Sequence, residues 1–395
     1  MRSKVAIIKV RPKADEVELL AALEESIHLL GGIEPILPSN EQILVKPNYG
    51  SGSRRNSVNA RVTSSVLAFF SKNGYKVQVG EDPGCFIVSR QAYENWQNRV
   101  LNQAGIQDIC ERQGAEWVDF RYGPHCTVRV PEPVFFDELV ISEYARKASA
   151  IVSLAKLKVV NICSVSLSMK NMKGVMPSSM KRRFHREELN QGIVDLCQVV
   201  KPKLAIIDGT YAMDQVASKE KAVGLLLVST DCVAVDAVGA SILGFDPIGI
   251  EHLALAEKAG LGVAELSHIE VVGEALPPLI GKYTFSAPAN PFQLAKESDG
   301  GIEIIQGQPC STCLNELGSE LLGFKGKLHQ LRNVKILVGP TAQVPEGPQT
   351  VIFYGNCLKK YRDQINFVHG CPPGMEFIGV GSIHRILRKM LSEER

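Results

Sequence analysis

Short, almost uninterrupted apolar runs alternate with amphipathic segments through most of this chain, and that alternation leaves few folds open to it. Val5–Val10, Gln42–Lys46, Lys76–Gly80, Ala150–Leu154, Lys203–Ile207 and Val223–Ser229 read as strands. Asp15–Leu30, Val62–Asn73 and the segment from Asp231 to Leu243 read as helices, the first closed by Gly31-Gly32. Strands that are apolar along their whole length must be covered on both faces. The expectation is therefore an α/β fold, a mostly parallel sheet with helices on both faces. Residues 88–138 break the rhythm with a helix near Ala92–Ala104 and a proline-rich connection, and read as an insertion. The polar, proline-rich Ser286–Phe292 reads as a linker. The chain is thus expected to divide into a large α/β domain (1–285), a linker (286–300) and a small C-terminal α/β metal-binding domain (301–395). In the last, Ser311–Leu322 reads as a helix and Val334–Val338 and Thr350–Tyr354 as strands.

Charge narrows the function classes. Lys plus Arg is 44 and Asp plus Glu is 42, a formal net charge of +2. Nucleic acids and acidic membranes select a strong basic excess, so neither is an expected partner. No window approaches the roughly 18 apolar residues of a membrane span. The N-terminal MRSKVAIIKVRPKADE lacks the apolar core and small-residue cleavage site of a leader. A cytoplasmic protein is expected.

Ten cysteines in such a compartment do not predict disulfides. Cys85, Cys110, Cys126, Cys163, Cys197 and Cys232 are scattered singly and read mostly as small buried apolar residues. Cys310, Cys313, Cys357 and Cys371 differ. Cys310 and Cys313 form a C-x-x-C at the mouth of a helix, where the backbone N–H groups and dipole favour thiolates. Cys357 follows a strand in Gly355-Asn356-Cys357, and Cys371 stands in Gly370-Cys371-Pro372-Pro373. Strand ends and helix starts share one edge of a parallel sheet, so four thiols from distant segments can meet there. Four thiolates suit an iron–sulfur cluster, a 4Fe–4S centre by ligand number, or zinc. Structural zinc usually takes two C-x-x-C knuckles and only one is present. A redox dithiol beside two buried cysteines is the plainer alternative.

A second constellation lies in the large domain. Ile43-Leu44-Val45-Lys46-Pro47-Asn48, Leu154-Ala155-Lys156-Leu157-Lys158, Ser168-Met169-Lys170-Asn171-Met172-Lys173-Gly174, Ile206-Ile207-Asp208-Gly209 and Thr230–Gly239 follow one another in this order. Together they resemble the motifs of the domain-of-unknown-function family 362, over about residues 40–250. The resemblance implies an α/β protein of anaerobic or metal-using metabolism, often joined to iron–sulfur domains, with no assigned reaction. The chain departs from the family pattern where Ala155 replaces a usual proline, and where apolar Val160 stands near a usual histidine.

Elementary chemistry adds to the resemblance. Lys46, Asn48, Lys156, Lys158, Lys170, Asn171 and Lys173 all stand at or just past strand ends, where α/β sheets open their ligand crevice. Their concentration predicts binding of an anionic small molecule; the plainer alternative is seven solvated loop residues. Asp208, in an Asp-Gly after a strand, is expected on the same edge or in a turn. Asp231 reads as a helix N-cap. Asp236, in an otherwise apolar helix, needs a partner, and one of the lysines is the expected one. Lys156, Lys170, Asp208 and Asp236 are the catalytic candidates. Glu81-Asp82-Pro83-Gly84 reads as a plain acidic turn, or else as a source of a general base or a metal ligand. Lys181–His185 reads as a solvated run or a flexible lid over an anion. His28 and His252 fit helical patterns.

No Walker loop, G-x-G-x-x-G, G-x-S-x-G, H-E-x-x-H, EF-hand or two-cluster ferredoxin run is present. The leading expectation is an iron–sulfur oxidoreductase acting on an anionic small molecule, with electron transfer the cluster's natural task. The alternatives are a non-catalytic electron or cluster carrier for a redox partner protein, and a zinc-stabilised binding protein.

Overall fold

The structure, a computed structural model, describes residues 3–37, 41–50, 52–85, 87, 89–371, 373 and 383–393. Val88 and Pro372, used in the readings above, lie outside the described residues. The chain divides into two compact units: Met1–Phe184 with Leu189–Ser286, and Ala287–Arg395 with His185–Glu188.

The large unit is built on a nine-stranded sheet. Its strands are β1 (Ser3–Lys9), β2 (Gln42–Pro47), β3 (Lys76–Glu81), β4 (Glu116–Asp119), β7 (Ala150–Val160), β8 (Ser164–Val165), β9 (Leu204–Asp214), β10 (Lys219–Ser229) and β11 (Ile269–Gly273), while β5 (His125–Arg129) and β6 (Glu138–Ser142) form a separate antiparallel pair. The order is β11-β1-β10-β9-β7-β2-β3-β4, with β8 paired to β7. β10 runs antiparallel to both neighbours and β8 antiparallel to β7; the other pairings are parallel. Alternate strand residues feed two buried cores. Leu44, Ile151 and Leu157 belong to one, and Ile43, Val45, Val152 and Leu154 to the other. That division is why these strands carry no polar face.

Capping sets the helix starts. Asp15 accepts from the Glu18 N–H at 2.9 Å before Glu16–Leu29, and Asn59 accepts from Arg61 N–H at 3.0 Å before Ala60–Lys72. Asp231 caps Cys232–Ile242 through Val233 N and Ala234 N. The expected insertion is partly woven into the sheet, since β4 forms its edge beside β3. The helix read at Ala92–Ala104 is Arg90–Gln97 followed by a wide π turn, Asn98–Gln103. Lys156 and Lys158 were expected past a strand. They lie inside β7, which runs on to Val160, with a register shift between them opposite β9.

The small unit holds a parallel sheet of β12 (Ile302–Gln306), β13 (Val334–Val338), β14 (Thr350–Tyr354) and β15 (Phe367–Val368), in that order. Helix Ser311–Leu322 packs on it through Leu317 and Leu321. The expected linker contains a helix: Asn290 caps Pro291–Glu297, whose Leu294 joins the small unit's core. Among the described residues no helix is long and apolar enough to cross a membrane.

Candidate functional site

The parallel pairing of β2, β3, β7 and β9 brings their carboxyl ends to one edge of the large sheet, and the polar motifs meet there. Lys46 sits at the centre. Its Nζ donates to Glu81 Oε2 at 2.8 Å, Asn171 Oδ1 at 2.7 Å and Pro47 O at 2.9 Å. Lys46 and Glu81 are each only 1% exposed. Glu81 also accepts from the backbone N–H groups of Tyr49 and Asp82. Asn171 uses its amide nitrogen on Lys46 O, Ser153 Oγ and Leu154 O, so its orientation is determined on both sides. Gly174 makes the packing possible: a Cβ there would lie 2.0 Å from Glu81 Oε1 and 2.2 Å from Lys46 Cε.

Asn48 links this centre to the next lysine. Its amide nitrogen donates to Asn171 Oδ1 at 3.2 Å, and its oxygen accepts from Lys158 Nζ at 2.7 Å. Lys156 Nζ stands 3.5 Å from Asp208 Oδ2 and 4.0 Å from Glu220 Oε1. Asp208 lies on this edge, and its bonds reach beyond its own turn. It accepts from Asn59 N–H at 2.9 Å and from Thr210 N–H and Oγ1–H.

Lys170 and Lys173 complete the lysines of these motifs. Lys170 Nζ donates to Cys163 Sγ at 3.2 Å. Lys173 is buried in the fields of Lys170, Cys85 and Cys163, with its Nζ 5.9 Å from the Phe184 ring centre. Asp236 corrects the sequence reading. Among the described residues no lysine pairs with it; its two oxygens accept from the N–H groups of Ser168 and Met169 at 2.7 and 2.8 Å. It thereby holds the start of the short helix Ser168–Asn171, which carries Asn171 to Lys46. Lys181–His185 is not a loop either. It falls within helix Ser178–Arg186, where buried Lys181 donates to Asp82 O and Pro83 O. Nor is Glu81-Asp82 a plain acidic turn, since Asp82 is buried between Arg121 and Lys181.

Beside the buried network opens a cleft of about 1040 Å³. Lys156, Tyr211 and Glu220 line it from the sheet, and Lys13, Arg54, Arg55, Arg61 and Arg99 line it from loops and helices. Glu220 is the one acidic side chain among its described lining residues. Sequence reasoning missed this rim. The signal available was Arg54-Arg55 in the Gly/Ser-rich turn after the second strand.

Burial lowers the affinity of Lys46, Lys158 and Lys173 for protons. Lys158 and Lys173 are pushed down to about 7, first by desolvation and then by Lys170; Lys46 is pushed down to about 8 by desolvation, against the pull of Glu81. The ordinary value is 10.5, which an unfolded chain would keep. Unfolded chain therefore binds more protons between about pH 7 and 10.5, and stability from these groups rises across that window. Both tryptophans, Trp96 and Trp117, lie in the large unit, so their fluorescence follows its urea unfolding. The midpoint of Lys158→Met should gain less than the parent's between about pH 7 and 9. Parallel curves would contradict the assignment.

In the small unit, Cys310, Cys357 and Cys371 follow β12, β14 and β15, so the parallel sheet puts their loops on one edge. Asn356 N–H donates to Gly370 O at 2.8 Å and Asn356 Oδ1 accepts from Gly370 N–H, tying the last two loops together. The Cys313 thiol is pushed far up by its hydrogen bond with Cys310, by burial, and by the fields of Cys310, Cys357 and Cys371. Four soft donors in one mutual field suit a thiophilic metal. Among the described residues, however, no three His, Cys, Asp or Glu side chains are placed so as to hold a metal ion.

Comparison with known proteins adds the following. The family model described as Domain of unknown function (DUF362) matches residues 43–241, the span holding every network residue named above. The chain is similar to a thylakoid-associated protein of Synechocystis sp., at 29% identity over 263 residues, 63% of this chain and 78% of that protein. Among solved structures, the lactate racemase apoprotein of Thermoanaerobacterium thermosaccharolyticum aligns with a TM-score of 0.40 and 11% identity. The alignment covers 60% of this chain and 57% of that one.

Proposed function

We propose that this chain, which belongs to the DUF362 family, binds an anionic small molecule at the carboxyl edge of its large sheet and acts on it there. The observation that carries this reading is the cleft: five basic side chains at its rim, Lys156 at its floor and a single described carboxylate, Glu220. Such an excess repels itself until an anion enters. The adjoining buried lysines, whose proton affinities lie near neutrality, support chemistry beyond simple binding, since groups so perturbed cluster at reactive sites. Titration calorimetry with phosphate and citrate tests the reading. Binding that weakens with salt supports it, and no heat from either anion counts against it.

A second reading concerns the small unit, where we propose that Cys310, Cys313, Cys357 and Cys371 hold an iron–sulfur cluster that gives the reaction a redox character. Its support is the convergence of three cysteine-bearing loops on one sheet edge and the mutual field of the four thiols. A bound cluster would supply one-electron chemistry. Anaerobically purified protein should contain iron and sulfide, and Cys313→Ser should lose most of both, with the small unit more protease-sensitive. Equal iron in parent and variant, or one zinc per chain, would exclude the cluster.

A further inference from the structure

The charge excess of the cleft lies at its rim and not at its floor. Lys156 already faces two carboxylates, Asp208 and Glu220, so the floor is polar and carries no positive excess. The N-terminus of helix Ala60–Lys72 is likewise occupied, because Asn59 caps it and Asp208 accepts the Asn59 N–H. The rim is different. Arg54, Arg55 and Arg99 are exposed and enter no ion pair among the described residues. The loop that carries the first two is pinned. Trp96 Nε1 donates to Tyr49 O at 2.9 Å, Val58 N–H to Asn48 O at 3.0 Å, and Gln215 Nε2 to Asn56 Oδ1 at 2.8 Å. Gly52 adopts φ +65°, and a Cβ there would meet Trp96 at 2.8 Å. Like charges are therefore held together on a backbone that cannot easily spread them.

We infer that the ligand of this cleft is a phosphate ester or diphosphate, with its phosphoryl groups at the arginine rim and a neutral polar body reaching inward to Lys156 and Tyr211. This rests on the anion-binding reading above and specifies its substrate class. A guanidinium offers a planar fork of N–H donors that matches phosphoryl oxygens two at a time, and it stays charged at any working pH. Several such forks call for a multiply charged group rather than one carboxylate. A volume of about 1040 Å³ is far larger than a bare anion needs. Val58, Val100 and Ile106 give the space between rim and floor an apolar wall for the body of the ligand.

The test is calorimetry on the full chain with pyrophosphate and citrate at equal ionic strength, repeated on Arg54→Gln/Arg99→Gln. Both side chains are exposed, and unchanged tryptophan-monitored unfolding would confirm an intact fold. Pyrophosphate should bind at least tenfold more tightly than citrate, and the double variant should lose at least tenfold of that affinity. Citrate binding as tightly as pyrophosphate overturns the phosphoryl assignment but leaves the anion-binding reading standing. So does pyrophosphate binding that the double variant retains in full. If neither anion binds, both fall together.

Discussion

Replacing Glu81 by Ala is expected to destabilise the large unit by about 3–5 kcal/mol, the usual cost of leaving one partner of a buried ion pair alone. Lys46 would remain 1% exposed with no carboxylate beside it, and the Tyr49 and Asp82 N–H groups would lose their acceptor. Urea unfolding followed by tryptophan fluorescence reads the loss, because Trp96 and Trp117 both belong to that unit. The companion change Lys46→Met in the same chain should restore part of the loss, since the uncompensated charge disappears with it. Gly174→Ala should destabilise by a similar route, by forcing a methyl group against the same pair. A Glu81→Ala midpoint indistinguishable from the parent's would mean that the pair is not buried as described.

Asp236→Ala is expected to cost roughly 2–5 kcal/mol and to impair a site that Asp236 never touches. Two buried N–H groups, of Ser168 and Met169, would be left without acceptors, at about 1–3 kcal/mol each. The first turn of helix Ser168–Asn171 would lose its anchor, and with it the placement of Asn171 between Lys46 and Asn48. Anion affinity should therefore fall together with stability. Asp236→Asn keeps one acceptor and should lie between parent and Ala. Burial pushes the Asp236 carboxyl up to about 8, against the pull of the two N–H groups. Its folded value thus exceeds the ordinary 3.8, and its contribution to stability is lost as pH rises through about 8, opposite in sign to Lys158. Parent-minus-variant curves for Asp236→Ala and Lys158→Met should accordingly slope in opposite directions.

Local pattern made much of the fold legible. Val334–Val338, Thr350–Tyr354 and Ser311–Leu322 stand where apolar periodicity put them, because strand and helix repeats are properties of neighbouring residues. β7 and β9 run on through polar residues to Val160 and Asp214. Sequence reading stopped both at the first charge, because lysines and aspartates inside a strand look like its end until their partners are known. The lid reading of Lys181–His185 failed for the same reason. A basic run looks solvated until Asp82, 99 residues away, takes Lys181 into the interior.

Local pattern alone reveals an α/β chain with lysine, asparagine and aspartate gathered after its apolar runs, and four cysteines among the elements of a second, smaller sheet. Side-chain periodicity is short-ranged and survives in one dimension. Which partner each charge meets depends on how distant segments pack. Lys46 reaches Glu81 across 35 residues and Asn171 across 125, and Asp236 turns to backbone N–H groups instead of a lysine. The arginine rim also exists only in three dimensions, because Arg54 and Arg99 come to line one cleft where β2's carboxyl-end loop folds against Trp96. The order of strands across a sheet sets those meetings, and strand order is decided by the packing of whole faces rather than by any segment's own residues.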